Sequence, residues 1–187
     1  DNIIKEYANY PDLLTIYQNS FSSNFNLPAL SDYGGRTLTY GHFARRIASF
    51  TFFEQVGVKP GDKVALLGKN SVNWIVIFMG TITYGAVIVP ILHEFNPADA
   101  TNIINHSDAD ILFVNDNIWE KLDLGSLNRI NCVVSLETRK VIEERQECFV
   151  TRGKGVNLPS RVMHMLTRNF NRRYPDGFGR DDVRYTV

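Results

Sequence analysis

Three observations predict an α/β fold with a mainly parallel sheet and helices on both faces. Short apolar runs recur at residues 64–67 (VALL), 86–89 (AVIV) and 110–114 (DILFV), as expected for strands covered on both sides. Stretches of helical length or helical spacing lie between them. Gly, Pro and Asn mark each change of period. Strand and helix alternating in this way fold as parallel sheets wrapped by helices.

Each element can be justified in order. Residues 11–21 (PDLLTIYQNSF) predict a helix: Pro11 suits its first turn, and Leu13, Ile16, Tyr17 and Ser20 share a face. Pro28-Ala29-Leu30, Tyr33-Gly34-Gly35 and the run Arg36 to Thr39 predict a hairpin turned at the glycines. Thr39 is placed to cap the next helix, where Phe43, Ile47 and Phe50 recur at helical spacing and Gly57 follows as its left-handed end. Lys59-Pro60-Gly61-Asp62 predicts a turn, with Gly61 supplying the positive φ.

After the strand at 64–67, Asn70 or Ser71 caps a helix over 72–84 that is apolar on nearly every side, hence buried. Gly85 ends it, and Pro90 is expected to stop the strand at 86–89. Asn96 caps a helix over 97–106 that turns Ile103 and Ile104 inward. A short helix near 118–122 and a weaker strand at 132–134 continue the pattern. Residues 137–149 predict a charged helix with a stripe at Val141, Ile142, Arg145, Cys148 and Phe149. A loop over 151–159, a basic amphipathic helix over 161–173 and an aperiodic tail over 174–187 complete the chain. The expected organisation is one lobe. Residues 1–35 form a helix and hairpin, 36–135 the alternating core, and 136–187 charged helices and a tail.

Composition excludes several classes. The 187 residues carry zero formal net charge, so no global field draws the chain to nucleic acid. Basic residues do gather in 151–187, eight Arg or Lys against three Asp. The segment 161–173 reads as an ordinary surface helix or as a contact for a phosphate-bearing partner such as a coenzyme or lipid surface. Its one aromatic, Phe170, is too few for a base-stacking platform. Two cysteines, Cys132 and Cys148, with no CxxC, predict reduced thiols and a cytoplasmic setting. The first residues, DNIIKEYANYPDLL, lack the basic-then-apolar pattern of a secretory leader. The uncharged run from Lys69 to Glu94 is long enough to cross a bilayer. Asn73, Gly80, Thr81, Thr83, Tyr84, Gly85 and Pro90 interrupt it, and a buried helix plus a buried strand explains it better.

The familiar catalytic motifs fail. Gly68-Lys69 follows a strand, but Lys63 stands where a phosphate loop needs glycine, and Asn70 replaces its hydroxyl. Gly153-x-Gly155 continues to Leu158, which breaks a dinucleotide fingerprint. His93-Glu94 would begin HExxH, but Pro97 holds the place of the second ligand, and His42, His93, His106 and His164 are scattered. No GxSxG is present. No metal set and no catalytic residue is therefore expected in this chain. Ligands in open α/β sheets sit beyond the strand carboxyl ends, which nominates 68–70, 90–94 and 115–117. Asn70, His93 and Glu94 are the candidate cofactor contacts, against the ordinary reading of a solvated loop.

Several segments in order carry a resemblance: Arg36-Thr37-Leu38-Thr39-Tyr40, the run Gly57 to Ala65 (GVKPGDKVA), Asn70-Ser71, Trp74, Gly80, Gly85-Ala86, Val89-Pro90 and Asn105-His106-Ser107-Asp108-Ala109. Over residues 11–114 the chain resembles the N-terminal part of AMP-forming adenylating enzymes, specifically acyl-CoA ligases. Residues 90–114 look most like bacterial long-chain fatty acid ligases. The resemblance implies a carboxylate attacking the α-phosphate of ATP, then coenzyme A displacing AMP from the acyl-adenylate. Magnesium would offset the phosphate charge. It implies an N-terminal subdomain of an adenylate-forming enzyme.

The departures are informative. The family's Thr/Ser/Gly-rich phosphate loop, its adenine and ribose motifs and its C-terminal lysine are absent. His42 stands where many relatives carry an acidic residue, which is expected to remove a capping box. The chain therefore reads as an N-terminal piece of a larger ligase. It is expected to be inactive alone and to bind none of ATP, Mg2+ or CoA by itself. Its expected partners are the remainder of the polypeptide and, for the whole enzyme, fatty acid, ATP and CoA. An apolar cut face predicts dimerisation, and the basic segment allows peripheral membrane contact. The rival readings are an aryl or amino acid activating ligase, and a non-catalytic module that binds an anionic partner through 161–173.

Overall fold

The computed structural model describes residues 13–48, 53 and 58–145. Helix α1 (Leu13–Ser23) leads into an antiparallel hairpin of β1 (Pro28–Ser31) and β2 (Thr37–Thr39), turned at Gly34 with φ 68°. Helix α2 (Tyr40–Ala48) follows. Then come β3 (Lys63–Leu67), α3 (Val72–Tyr84), β4 (Val87–Ile91), α4 (Pro97–Ser107), β5 (Ile111–Val114), the short α5 (Asp116–Trp119), β6 (Cys132–Ser135) and β7 (Val141–Glu144). The five-stranded sheet has the order β4-β3-β5-β6-β7. Its first four strands are parallel and β7 runs antiparallel to β6.

The strand period of two splits the core into two layers. Val64, Leu66, Ile111, Phe113, Cys132 and Val134 face one side, where Phe43 and Ile47 of α2 and Val76, Ile77 and Met79 of α3 cover them. Ala65, Leu67, Leu112, Val114 and Val133 face the other, under Ala100 and Ile104 of α4. Phe53 is fully buried between the rings of Tyr84 and Phe113, with centroids 5.3 and 6.2 Å away. Helices therefore lie on both faces, as the alternation requires.

Helix α3 shows how an apolar sequence is delimited. Ser71 Oγ accepts from the Trp74 N–H at 3.1 Å, and Gly85 ends the helix at φ 95°. Its interior polar groups find partners: Thr81 Oγ1 donates to Ile77 O at 2.8 Å, and the Tyr84 hydroxyl donates to Val58 O at 2.6 Å. At α4, Asn96 Oδ1 accepts from the Asp99 N–H at 2.9 Å. Ile104 is buried and Ile103 half-buried. Gly61 takes φ 92° in the turn before β3, where the Asp62 carboxylate accepts from the Lys59 N–H at 2.7 Å.

The structure corrects four expectations. Pro90 does not stop its strand; β4 continues to Ile91, with Pro90 paired beside Leu66. β4 is an edge strand, where a residue without N–H can face outward at no loss to the ladder. The short helix lies at Asp116–Trp119 instead of 118–122, because it starts directly from the end of β5. Residues 137–145 do not form a helix. A turn with Arg139 at φ 60° returns the chain as β7, which pairs with β6. Pairing along the open edge of a buried strand outweighs helical spacing there. Arg145 then fastens the end of β7 by donating to the carbonyls of Asn128, Leu124 and Leu127.

The fourth correction concerns His42. Thr39 Oγ1 accepts from the His42 N–H at 3.2 Å, and the Thr39 N–H donates to His42 Nδ1 at 3.5 Å. The capping box is present, with a neutral imidazole nitrogen serving as the acceptor that a carboxylate would supply. Pro11, Phe50, Gly57, Cys148 and Phe149, and the segments 151–159, 161–173 and 174–187, lie outside the described residues.

Candidate functional site

The carboxyl ends of β3, β5 and β6 meet in one polar network. Gly68 follows β3 where there is no room for a side chain: a methyl there would lie 2.5 Å from both Asn115 Oδ1 and Leu136 Cδ2. The close approach lets Asn115 Oδ1 accept from the Lys69 N–H at 2.7 Å. Asn115 Nδ2 donates to Glu137 Oε1 at 2.5 Å, and the other carboxylate oxygen accepts from the Asp116 N–H at 3.1 Å. Asn73 of α3 donates to the carbonyls of Leu136 and Glu137 at 2.9 and 3.0 Å. Its own carbonyl accepts from Arg46 Nη1 at 3.3 Å.

The structure thus joins two of the nominated loops, 68–70 and 115–117, through Asn115. Glu137, which helical spacing placed elsewhere, completes the join. Asn73 was visible only as a polar break in an otherwise apolar helix. Asn70 is exposed beside Ser71. His93 and Glu94 lie on the loop after β4, paired to each other at 3.3 Å with Glu94 largely exposed. Among the described residues no hydrogen bond ties that pair to the Asn115–Glu137 network.

The chemistry available here is limited. Both Glu137 oxygens are engaged by N–H donors, so the carboxylate is a structural acceptor. Magnesium takes several hard oxygen ligands in near-octahedral geometry. Among the described residues no group of three His, Cys, Asp or Glu side chains could hold a metal ion, and the donor set there does not fit magnesium. No described helix is long and apolar enough to cross a membrane.

Family comparison places this scaffold. Residues 18–174 match the sequence pattern of the AMP-binding enzyme family, and the chain belongs to that family. A fatty acid–[acyl-carrier-protein] ligase, ScoC, of Streptomyces coeruleorubidus is 36% identical over 85 residues, covering 44% of this chain and 16% of that protein. A long-chain-fatty-acid–CoA ligase of Escherichia coli O157:H7 is 24% identical over 116 residues, covering 61% of this chain and 20% of that protein. The chain therefore spans under a quarter of each relative's length.

Among solved structures, the anthranilate CoA ligase AuaEII in complex with anthranoyl-AMP superposes with a TM-score of 0.62 at 22% identity. The match covers 67% of this chain and 25% of that one. The fold is that of the N-terminal subdomains of adenylate-forming enzymes.

Proposed function

We propose that this chain is the N-terminal α/β lobe of an ATP-dependent, AMP-forming acyl-CoA ligase that acts on fatty acids. The whole enzyme joins a carboxylate to the α-phosphate of ATP and releases pyrophosphate. The thiol of coenzyme A then displaces AMP. The chain's own part is architectural: its central strands carry the buried core, and the Asn115–Glu137 network fixes their carboxyl ends. The observation that carries the proposal is the family match over residues 18–174. It coincides with a sheet whose strand-end polar groups bond mainly to one another. The remainder of the polypeptide would supply the groups that hold ATP, magnesium and CoA, and a sequence with two cysteines and no CxxC suits a cytoplasmic enzyme.

An aryl-activating ligase is the second reading, and the fold match to an anthranilate ligase favours it. The test is AMP release by the whole polypeptide with ATP, CoA and either palmitate or anthranilate. Palmitate-dependent AMP release supports the fatty acid reading; release with anthranilate alone replaces it. Salt-sensitive binding to anionic vesicles with no AMP release would instead favour a module acting through residues 161–173.

A further inference from the structure

His42 has an unusual electrostatic setting for a capping residue. Its Nδ1 lies 3.1 Å from Thr39 Oγ1 and receives the Thr39 N–H at 3.5 Å, while its own N–H donates back to Thr39 Oγ1. These bonds tie the end of β2 to the first turn of α2. The bond from the Thr39 N–H requires Nδ1 to be an acceptor, which an imidazole nitrogen offers only when it carries no proton, whereas the 3.1 Å contact with Oγ1 fits either role of Nδ1.

Among the described residues, the charges that act on the ring are positive. Helix α2 contributes Arg45 and Arg46, and Arg36 comes from the turn before β2; all three act on the ring. The elements packed against α2 (α1, β1, β2 and α3) contain no acidic, lysine or arginine side chain. Their ionisable groups are the phenols Tyr17 and Tyr84, and α2 adds Tyr40. The first turn of a helix also disfavours positive charge.

We propose that His42 makes the β2–α2 junction a pH-sensitive latch, closed while the imidazole is neutral and opened by its protonation. Protonation turns Nδ1 into a donor facing the Thr39 N–H, so that amide loses its partner and the box keeps only one of its two halves. Burial and the three arginines hold the His42 pKa below the ordinary 6.5. The unfolded chain therefore binds the proton more readily than the folded one. The latch contributes its full stability above pH 6.5. That contribution declines as pH falls from there to the folded-state value.

Thermal unfolding of the chain at pH 7.5 and pH 5, compared with His42→Glu, tests the latch. A carboxylate accepts the Thr39 N–H at both pH values. The native chain should lose on the order of 2–4 °C more than His42→Glu over this interval, as expected for one capping bond. Equal losses in the two proteins would overturn the proposal. An NMR titration of the His42 ring nitrogens in the native chain gives a second readout. Hydrogen on Nε2 at pH 7.5 and a midpoint below that of free imidazole are expected. Hydrogen on Nδ1 at pH 7.5 would refute the latch whatever the variant does.

Discussion

Gly68→Ala probes how tightly the strand ends are locked. The new methyl would lie 2.5 Å from Asn115 Oδ1 and 2.5 Å from Leu136 Cδ2, well inside van der Waals contact. Neither neighbour can move freely. Asn115 is held by the Lys69 N–H and by Glu137, and Leu136 is buried with its N–H bonded to Val114 O at 2.8 Å. Overpacking of a closed site costs about 1–3 kcal/mol. For a chain of this size about 2 kcal/mol lowers the unfolding midpoint by roughly 4–8 °C.

Gly61→Ala serves as the contrast. No atom lies within 4 Å of its added carbon, but φ is 92°, so its penalty comes from the backbone alone. Differential scanning fluorimetry on the chain reads both. Asn115→Ala added to Gly68→Ala should recover part of the loss, because it removes one of the two clashing atoms. A Gly68→Ala protein that melts within about 2 °C of the native chain, roughly the least that such overpacking could produce, would refute the tight junction of β3, β5 and β6.

Two further outcomes follow from α3. Tyr84→Phe removes the donor to Val58 O at 2.6 Å between two buried residues. It should lower stability by about 1–3 kcal/mol, read as a lower urea midpoint with unchanged slope. Ser71→Ala leaves the Trp74 N–H without its acceptor and should cost about 1 kcal/mol, while Ser71→Asp should retain most of the stability.

Local chemistry made much of the fold legible in the sequence. Ser71, Gly85, Asn96 and Gly61 mark their turns and caps because each meets a backbone demand set by its neighbours alone. The apolar runs of β3 and β5 announce burial on both faces for the same reason. Where the sequence misled, the deciding partner lay far along the chain. The spacing of Val141, Ile142 and Arg145 suits a helix, but the open edge of β6 makes 141–144 a strand. Pro90 reads as a stop until β4 proves to be an edge. The site was half visible: the rule for strand carboxyl ends found 68–70 and 115–117. Glu137 escaped because its role depends on Asn115, twenty-two residues away. His42 looked like the loss of a capping box because residue type, without geometry, hides what a neutral imidazole can accept.

Exchange of labelled pyrophosphate into ATP in the presence of palmitate tests the central claim most directly. Run on this chain alone and on the whole polypeptide, it separates scaffold from chemistry. The whole polypeptide should catalyse palmitate-dependent exchange, and the chain alone should stay at the no-protein background. Exchange by the isolated chain, or its absence from the intact polypeptide with every carboxylic acid offered, would contradict the account.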